Sequence, residues 1–169
     1  MPEASAGGRR PLERLAERSS AACYGTVLVL AALPLIDDDE VSSGWGWELV
    51  TGVGVATWIA HLYAEVLGEH VRRGGRLDRH EISRAMVDGL PILLAAVLPA
   101  VVLMLGRLEV LEPRTALWVA VAAAIAQLVG LGAFVGASLS RPRASVWAYA
   151  TATGSVGIVV VARKLALGH

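Results

Sequence analysis

Residues 47–70 read WELVTGVGVATWIAHLYAEVLGEH, and this stretch decides how the rest of the chain is understood. It is long enough to cross a bilayer as a helix, because about 20 residues rising 1.5 Å each span the hydrocarbon. Its second half nevertheless carries His61, Glu65, Glu69 and His70. Ionisable side chains inside a span are costly, face the interior of a bundle and mark sites or pathways. The one stretch therefore predicts both membrane residence and the place where chemistry would be done.

Around it lie four further apolar stretches, so the sequence predicts an all-α polytopic membrane protein with five spans, at about 19–36, 47–67, 85–105, 115–139 and 145–162. Residues 1–18 form a polar tail; Pro2, Gly7, Gly8 and Pro11 oppose order at its start, and 12–18 suits a short amphipathic helix at a surface. Arg and Glu run up to the first apolar stretch with no small-residue cleavage site after a short core, which argues against a signal peptide. The first span ends at Pro34 and the acidic run Asp37, Asp38, Asp39 and Glu40, read as a solvated loop or as a collector of cations at an entrance. Pro91 and Pro99 in the third span are expected to bend a helix without ending it, since neighbouring helices can satisfy the freed carbonyls. Only residues 140–144 separate the last two spans, so these form an antiparallel hairpin.

Composition agrees and excludes other classes. Hydrophobic residues make up 55% of 169, and the mean hydropathy is +0.58, which is too apolar for a soluble domain of this size. Basic and acidic residues balance at 15 each, leaving no basic field to attract nucleic acid. The single cysteine, Cys23, permits neither an internal disulfide nor a cysteine-based zinc site. No nucleotide-binding loop, nucleophile elbow or zinc-hydrolase motif is present, and the hydroxyls of the first, fourth and fifth spans suit interhelical hydrogen bonds, so no enzyme is expected. Arginine in place of lysine, with Lys164 the one exception, and abundant Ala, Val, Leu and Gly suit a GC-rich bacterial genome, which points to the inner, plasma membrane.

Orientation follows from the basic residues of the short loops. Arg9, Arg10, Arg14 and Arg18 precede the first span, Arg72, Arg73, Arg76, Arg79 and Arg84 follow the second, and Arg141 and Arg143 follow the fourth. The opposite side has Arg107, Arg114, Arg163 and Lys164. The N-terminus is thus predicted to be cytoplasmic and the C-terminus outside. Trp45, Trp47 and Trp118 then fall at the outer boundary, and Trp147 and Tyr149 at the inner one. Small residues recur at packing spacing in the fourth span (Ala126, Gly130, Gly132, Gly136) and the fifth (Gly154, Gly157). They serve either packing inside the bundle or a homodimer interface, and a homodimer is expected because a bundle of this size needs a partner to enclose a polar path.

His61, Glu65 and Glu69 are spaced i, i+4, i+8 along one slowly rotating helix face. In a helix descending from outside, His61 lies about 6 Å and Glu65 about 12 Å past the midpoint, with Glu69 at the cytoplasmic boundary. Asp88, at the start of the third span, lies at a depth to join them. Imidazole and carboxylate ligate Fe, Mn or Zn and also carry protons. The candidate metal or proton site is therefore His61, Glu65, Glu69 and Asp88. Their plain structural roles are a carbonyl-bonded His61, a snorkelling Glu65 and solvated interfacial Glu69 and His70. The arginine-rich segment 68–84, with His70, Asp78, His80 and Glu81, is a poor metal site because the arginines repel a divalent cation. Its start extends the second helix towards a break at Gly74 and Gly75.

The pattern resembles the vacuolar iron transporter family in topology. The similarity lies best in the last hairpin, LVGLGAFVGASLSRPRASVWAYATATGSVGIVVVARKLALG, with its glycines and Arg141-Pro142 turn, and in the third span with Pro91 and Pro99. That family has five spans and, in the second, a methionine four residues before a glutamate. Here Glu65 matches the glutamate and His61 stands at the methionine position; Val66 replaces the family's tyrosine, the first span has no acidic residue, and the long Glu-rich segment after the second span is absent. The resemblance implies a divalent metal cation/proton transporter carrying Fe2+ or Mn2+ as cargo, with no resident cofactor firmly implied. From a different class comes the expectation of a non-transporting accessory or scaffold subunit whose glycine-rich fourth and fifth spans, Gly132 and Gly136 among them, pack against a larger partner.

Overall fold

The computed structural model describes residues 6–73 and 79–138, together with the single helical positions Thr151, Ser155, Val159 and Ala162. The predicted fifth span at 145–162, the 140–144 turn, Gly154, Gly157, Arg141, Arg143, Trp147 and Tyr149 lie outside the described residues. Every regular element among the described residues is helical: α1 (Ala6–Ala32), α2 (Asp38–Ser43), α3 (Trp45–Arg73), α4 (Arg79–Asp88), α5 (Leu90–Arg107) and α6 (Pro113–Ser138). Four segments are long and apolar enough to cross a membrane: Arg18–Leu35, Trp45–Arg72, Ile82–Arg107 and Pro113–Ala137. They match the first four predicted spans within a few residues at most ends, and by length and composition they point to a membrane protein.

α1 closes through a 3-10 turn at Leu33–Leu35, where Pro34 has no N–H to continue the ladder. The acidic run that follows is a helix, not a loop. Asp37 is extended and caps α2, and the Glu40 carboxylate accepts the Asp37 N–H at 2.9 Å, so the two form a reciprocal capping box. Asp38, Asp39 and Glu40 fill the first turn, where negative charge offsets the helix dipole. Gly44 ends α2 at φ 93°, and a Cβ there would also strike the Arg107 side chain. Asp37→Ala is expected to lower the stability of this corner by about 1 kcal/mol through loss of the cap. Thermal unfolding of the protein in detergent checks this; an unchanged midpoint would show that the capping box is dispensable.

α3 runs without interruption to Arg73, so the second helix does continue past its apolar part. The third predicted span is built from two pieces. Pro91 sits in the first turn of α5, where its missing N–H is not needed, and Gly89 forms the joint with α4, its N–H donating to Ala85 at 3.0 Å. Pro91 thus separates two helices, whereas Pro99 lies buried within a continuous α5. After α5, Glu109 adopts φ 57° in a tight turn, with Val110 N–H donating back to Leu105 at 3.1 Å, and Pro113 begins α6.

α5 is central and packs on α1, α3 and α6; α1 touches the same neighbours, so α3 and α6 flank the α1/α5 pair from opposite sides. Helices approach closely at Gly25, which lies against the Ile92 backbone, at Gly54, which lies against Ala96, and at Gly106, which lies against Ala116 and Val41. Gly132 and Gly136 are buried within the chain, while Ala126 and Gly130 are exposed. The core collects at the end of the bundle where α2 sits, around Leu30, Leu33, Ile36, Val41, Val50 and Leu103. Thr57 is the last buried residue of α3; from Trp58 to Arg72 that helix draws away from the others. The bundle is therefore closed at the α2 end, and at the other end it opens along α3 while α1, α5 and α6 stay packed.

Candidate functional site

The divergence of α3 leaves a groove of about 720 Å³ between α1, α3 and the end of α4. Trp58 marks where it begins: its indole rests on Gly89 and its Nε1–H donates to the Met86 carbonyl at 3.3 Å, tying α3 to the α4/α5 joint. Beyond that tie the next turns of α3 turn Ala60, His61, Ala64 and Glu65 into the groove. The i, i+4 spacing keeps His61 directly above Glu65, and the alanines beside them leave the space open. α1 supplies Ser20, Ala21 and Tyr24 on the facing wall, and α4 supplies Asp88 at its last residue.

His61 Nε2 stands 3.8 Å from Glu65 Oε2, with the side chains 36% and 42% exposed. That is too long for a hydrogen bond. It is an ion-pair distance when the imidazole is protonated, and a gap that a first-row cation, held about 2.0–2.2 Å from each donor, can bridge with a small closure. Neither group is packed into the interior, contrary to the ordinary placement of an intramembrane ionisable residue. They line a groove instead.

The four predicted site residues divide. His61, Glu65 and Asp88 share the groove; Glu69 does not line it and is ion-paired to Arg72, three residues on. Asp88 is engaged as well, its Oδ1 standing 3.4 Å from Arg18 Nη2. Among the described residues no three His, Cys, Asp or Glu side chains gather closely enough to enclose a metal ion, so the His61/Glu65 pair is the unit the fold presents. His70 is exposed, and the side chains of Asp78, His80 and Glu81 lie outside the described residues.

Sequence reasoning missed Arg18, Ser20, Tyr24 and Trp58 as parts of this site. Ser20 and Tyr24 carry the same i, i+4 signal as His61 and Glu65, set on a helix that otherwise reads as apolar. Thr26, another hydroxyl of the first span, is buried and donates to Ala22 at 2.8 Å, which removes it from the groove. Arg18 and Asp88 are 70 positions apart, and nothing in their local sequence joins them.

No protein-family model, no curated protein and no solved structure matches this chain.

Proposed function

We propose that the protein is a small proton-coupled cation transporter of the inner membrane, with divalent metal ions such as Fe2+ or Mn2+ as cargo and His61 and Glu65 as the transport site. The observation that carries this is the shared groove: an imidazole and a carboxylate one helical turn apart, facing Asp88 on another helix, in a helix otherwise apolar enough to span a bilayer. Such groups cost about 2.5–3.5 kcal/mol each on insertion scales when they meet lipid alone. A groove that admits water and cations offsets that cost. Imidazole and carboxylate both bind divalent cations and both exchange protons, so metal binding expels protons from the same atoms. Antiport follows from this competition.

The orientation given by the arginines puts the groove at the cytoplasmic side, with the packed, acidic-capped end outside. The topological resemblance to vacuolar iron transporters supports the same class of cargo. A homodimer belongs to the proposal, since a second copy beside the exposed part of α3 would shield the groove from lipid. The scaffold alternative has less to stand on, because Gly132 and Gly136 are already used inside the chain.

The test is uptake of Mn2+ and Fe2+ into liposomes carrying the purified protein under an imposed pH gradient. Uptake above that of empty liposomes is expected; its absence for both metals, in protein shown to be inserted and folded, would end the transporter reading.

A further inference from the structure

Asp88 lines the same groove, and its partner there is Arg18, whose guanidinium keeps its charge. Arg18, near the start of the first membrane segment, brings Nη2 to 3.4 Å from Asp88 Oδ1, with the two side chains 52% and 31% exposed. A guanidinium does not give up its proton in proteins, so the pair is not ended by deprotonation of its cation. A competing cation or a movement of α1 against α4 can end it. Ion pairs this exposed are weak, which makes such competition feasible. The pair also accounts for the grouping of the donors: His61 and Glu65 stand together, while Asp88 lines the same groove but is turned to Arg18.

Resting on the transport reading, we propose that Arg18 is a tethered cation that occupies the cargo's place on Asp88, and that a cation passing that end of the groove displaces it. Asp88 then becomes available to a cation held by His61 and Glu65, and the guanidinium returns to Asp88 when the cation leaves. Arg18 thereby weakens binding in the resting groove and keeps Asp88 neutralised between turnovers, when an unpaired carboxylate near the membrane would be costly. It is a positioning residue and does not itself ligate the cargo.

Equilibrium binding of Mn2+ to the full-length protein in nanodiscs tests this with five variants beside the parent. Arg18→Gln is expected to tighten Mn2+ binding about two- to fivefold, the range set by exposed ion pairs. Arg18→Lys, which keeps the charge, is expected to bind like the parent. In an Asp88→Asn background the Arg18→Gln change is expected to have no effect, since the two residues act as one pair. His61→Ala reports on the underlying site. Should the parent bind and His61→Ala not bind, while Arg18→Gln equals the parent or the Arg18 effect persists without Asp88, this inference is overturned and the cation site stands. Should the parent show no saturable binding that depends on His61, the cation-site reading is overturned and this inference falls with it.

Discussion

Gly25→Leu is expected to destroy the native bundle. A Cβ at position 25 would stand 2.9 Å from the Ile92 Cα and 3.0 Å from its carbonyl oxygen, and backbone cannot swing aside as the tip of a side chain can. Leucine adds three carbons beyond that Cβ at the crossing of α1 and α5, the two helices on which the others pack. Overpacking costs about 1–3 kcal/mol in forgiving sites, and this one lies at or above the upper end. Against a total stability of about 5–15 kcal/mol that is a large loss. Size-exclusion profiles and thermal unfolding in detergent are expected to show an aggregated or strongly destabilised protein. Gly130→Leu is the control, because among the described residues nothing lies within 4 Å of a Cβ there, and it is expected to stay within about 0.5 kcal/mol of the parent. A stable Gly25→Leu variant would mean that α1 and α5 do not cross at these residues.

The second large effect is on transport. His61→Ala and Glu65→Gln are each expected to lower Mn2+ uptake about 10- to 100-fold while leaving the fold intact. The transport loss follows because each supplies one of the two donors that stand together; even partners one shell removed from a metal cost that much when mutated. The intact fold follows because both side chains are more than a third exposed and anchor no packed core, so the change in stability stays within about 0.5 kcal/mol. Uptake and unfolding measured on the same preparations separate the two. Unchanged uptake in both variants, with the parent active, would remove the pair from the transport path. Glu69→Gln is expected to matter far less, since Glu69 lies outside the groove and is paired with Arg72.

How much of this was legible in the sequence depends on what each feature needs. The apolar spans were legible because residence in lipid is a demand on composition, met residue by residue. The His61/Glu65 pair was legible because both members share one helix, and helical periodicity fixes their neighbourhood without any knowledge of the rest. α2 was not: three aspartates and a glutamate read as solvated loop, although Asp37 and Glu40 are spaced for a capping box. Pro91 was seen as a bend, but its position two residues after Gly89 makes it a helix start. The glycines at close helix contacts, Gly25, Gly54 and Gly106, were passed over, while attention went to Gly132 and Gly136. Close approach depends on which residue lies across the crossing, and sequence spacing within one helix carries no such information. The Arg18/Asp88 pair was hidden for the same reason, as its members meet only once α1 and α4 are packed.

On the proposed mechanism one groove holds both a metal cation and the protons it exchanges for. This is tested most directly by recording Mn2+ entry and internal pH together in liposomes containing the purified protein, with the interior initially acidic. Mn2+ is expected to enter while the interior loses protons, and both signals are expected to disappear together in His61→Ala and in Glu65→Gln. Proton loss that proceeds equally with and without Mn2+, or Mn2+ entry that leaves internal pH untouched, would contradict it.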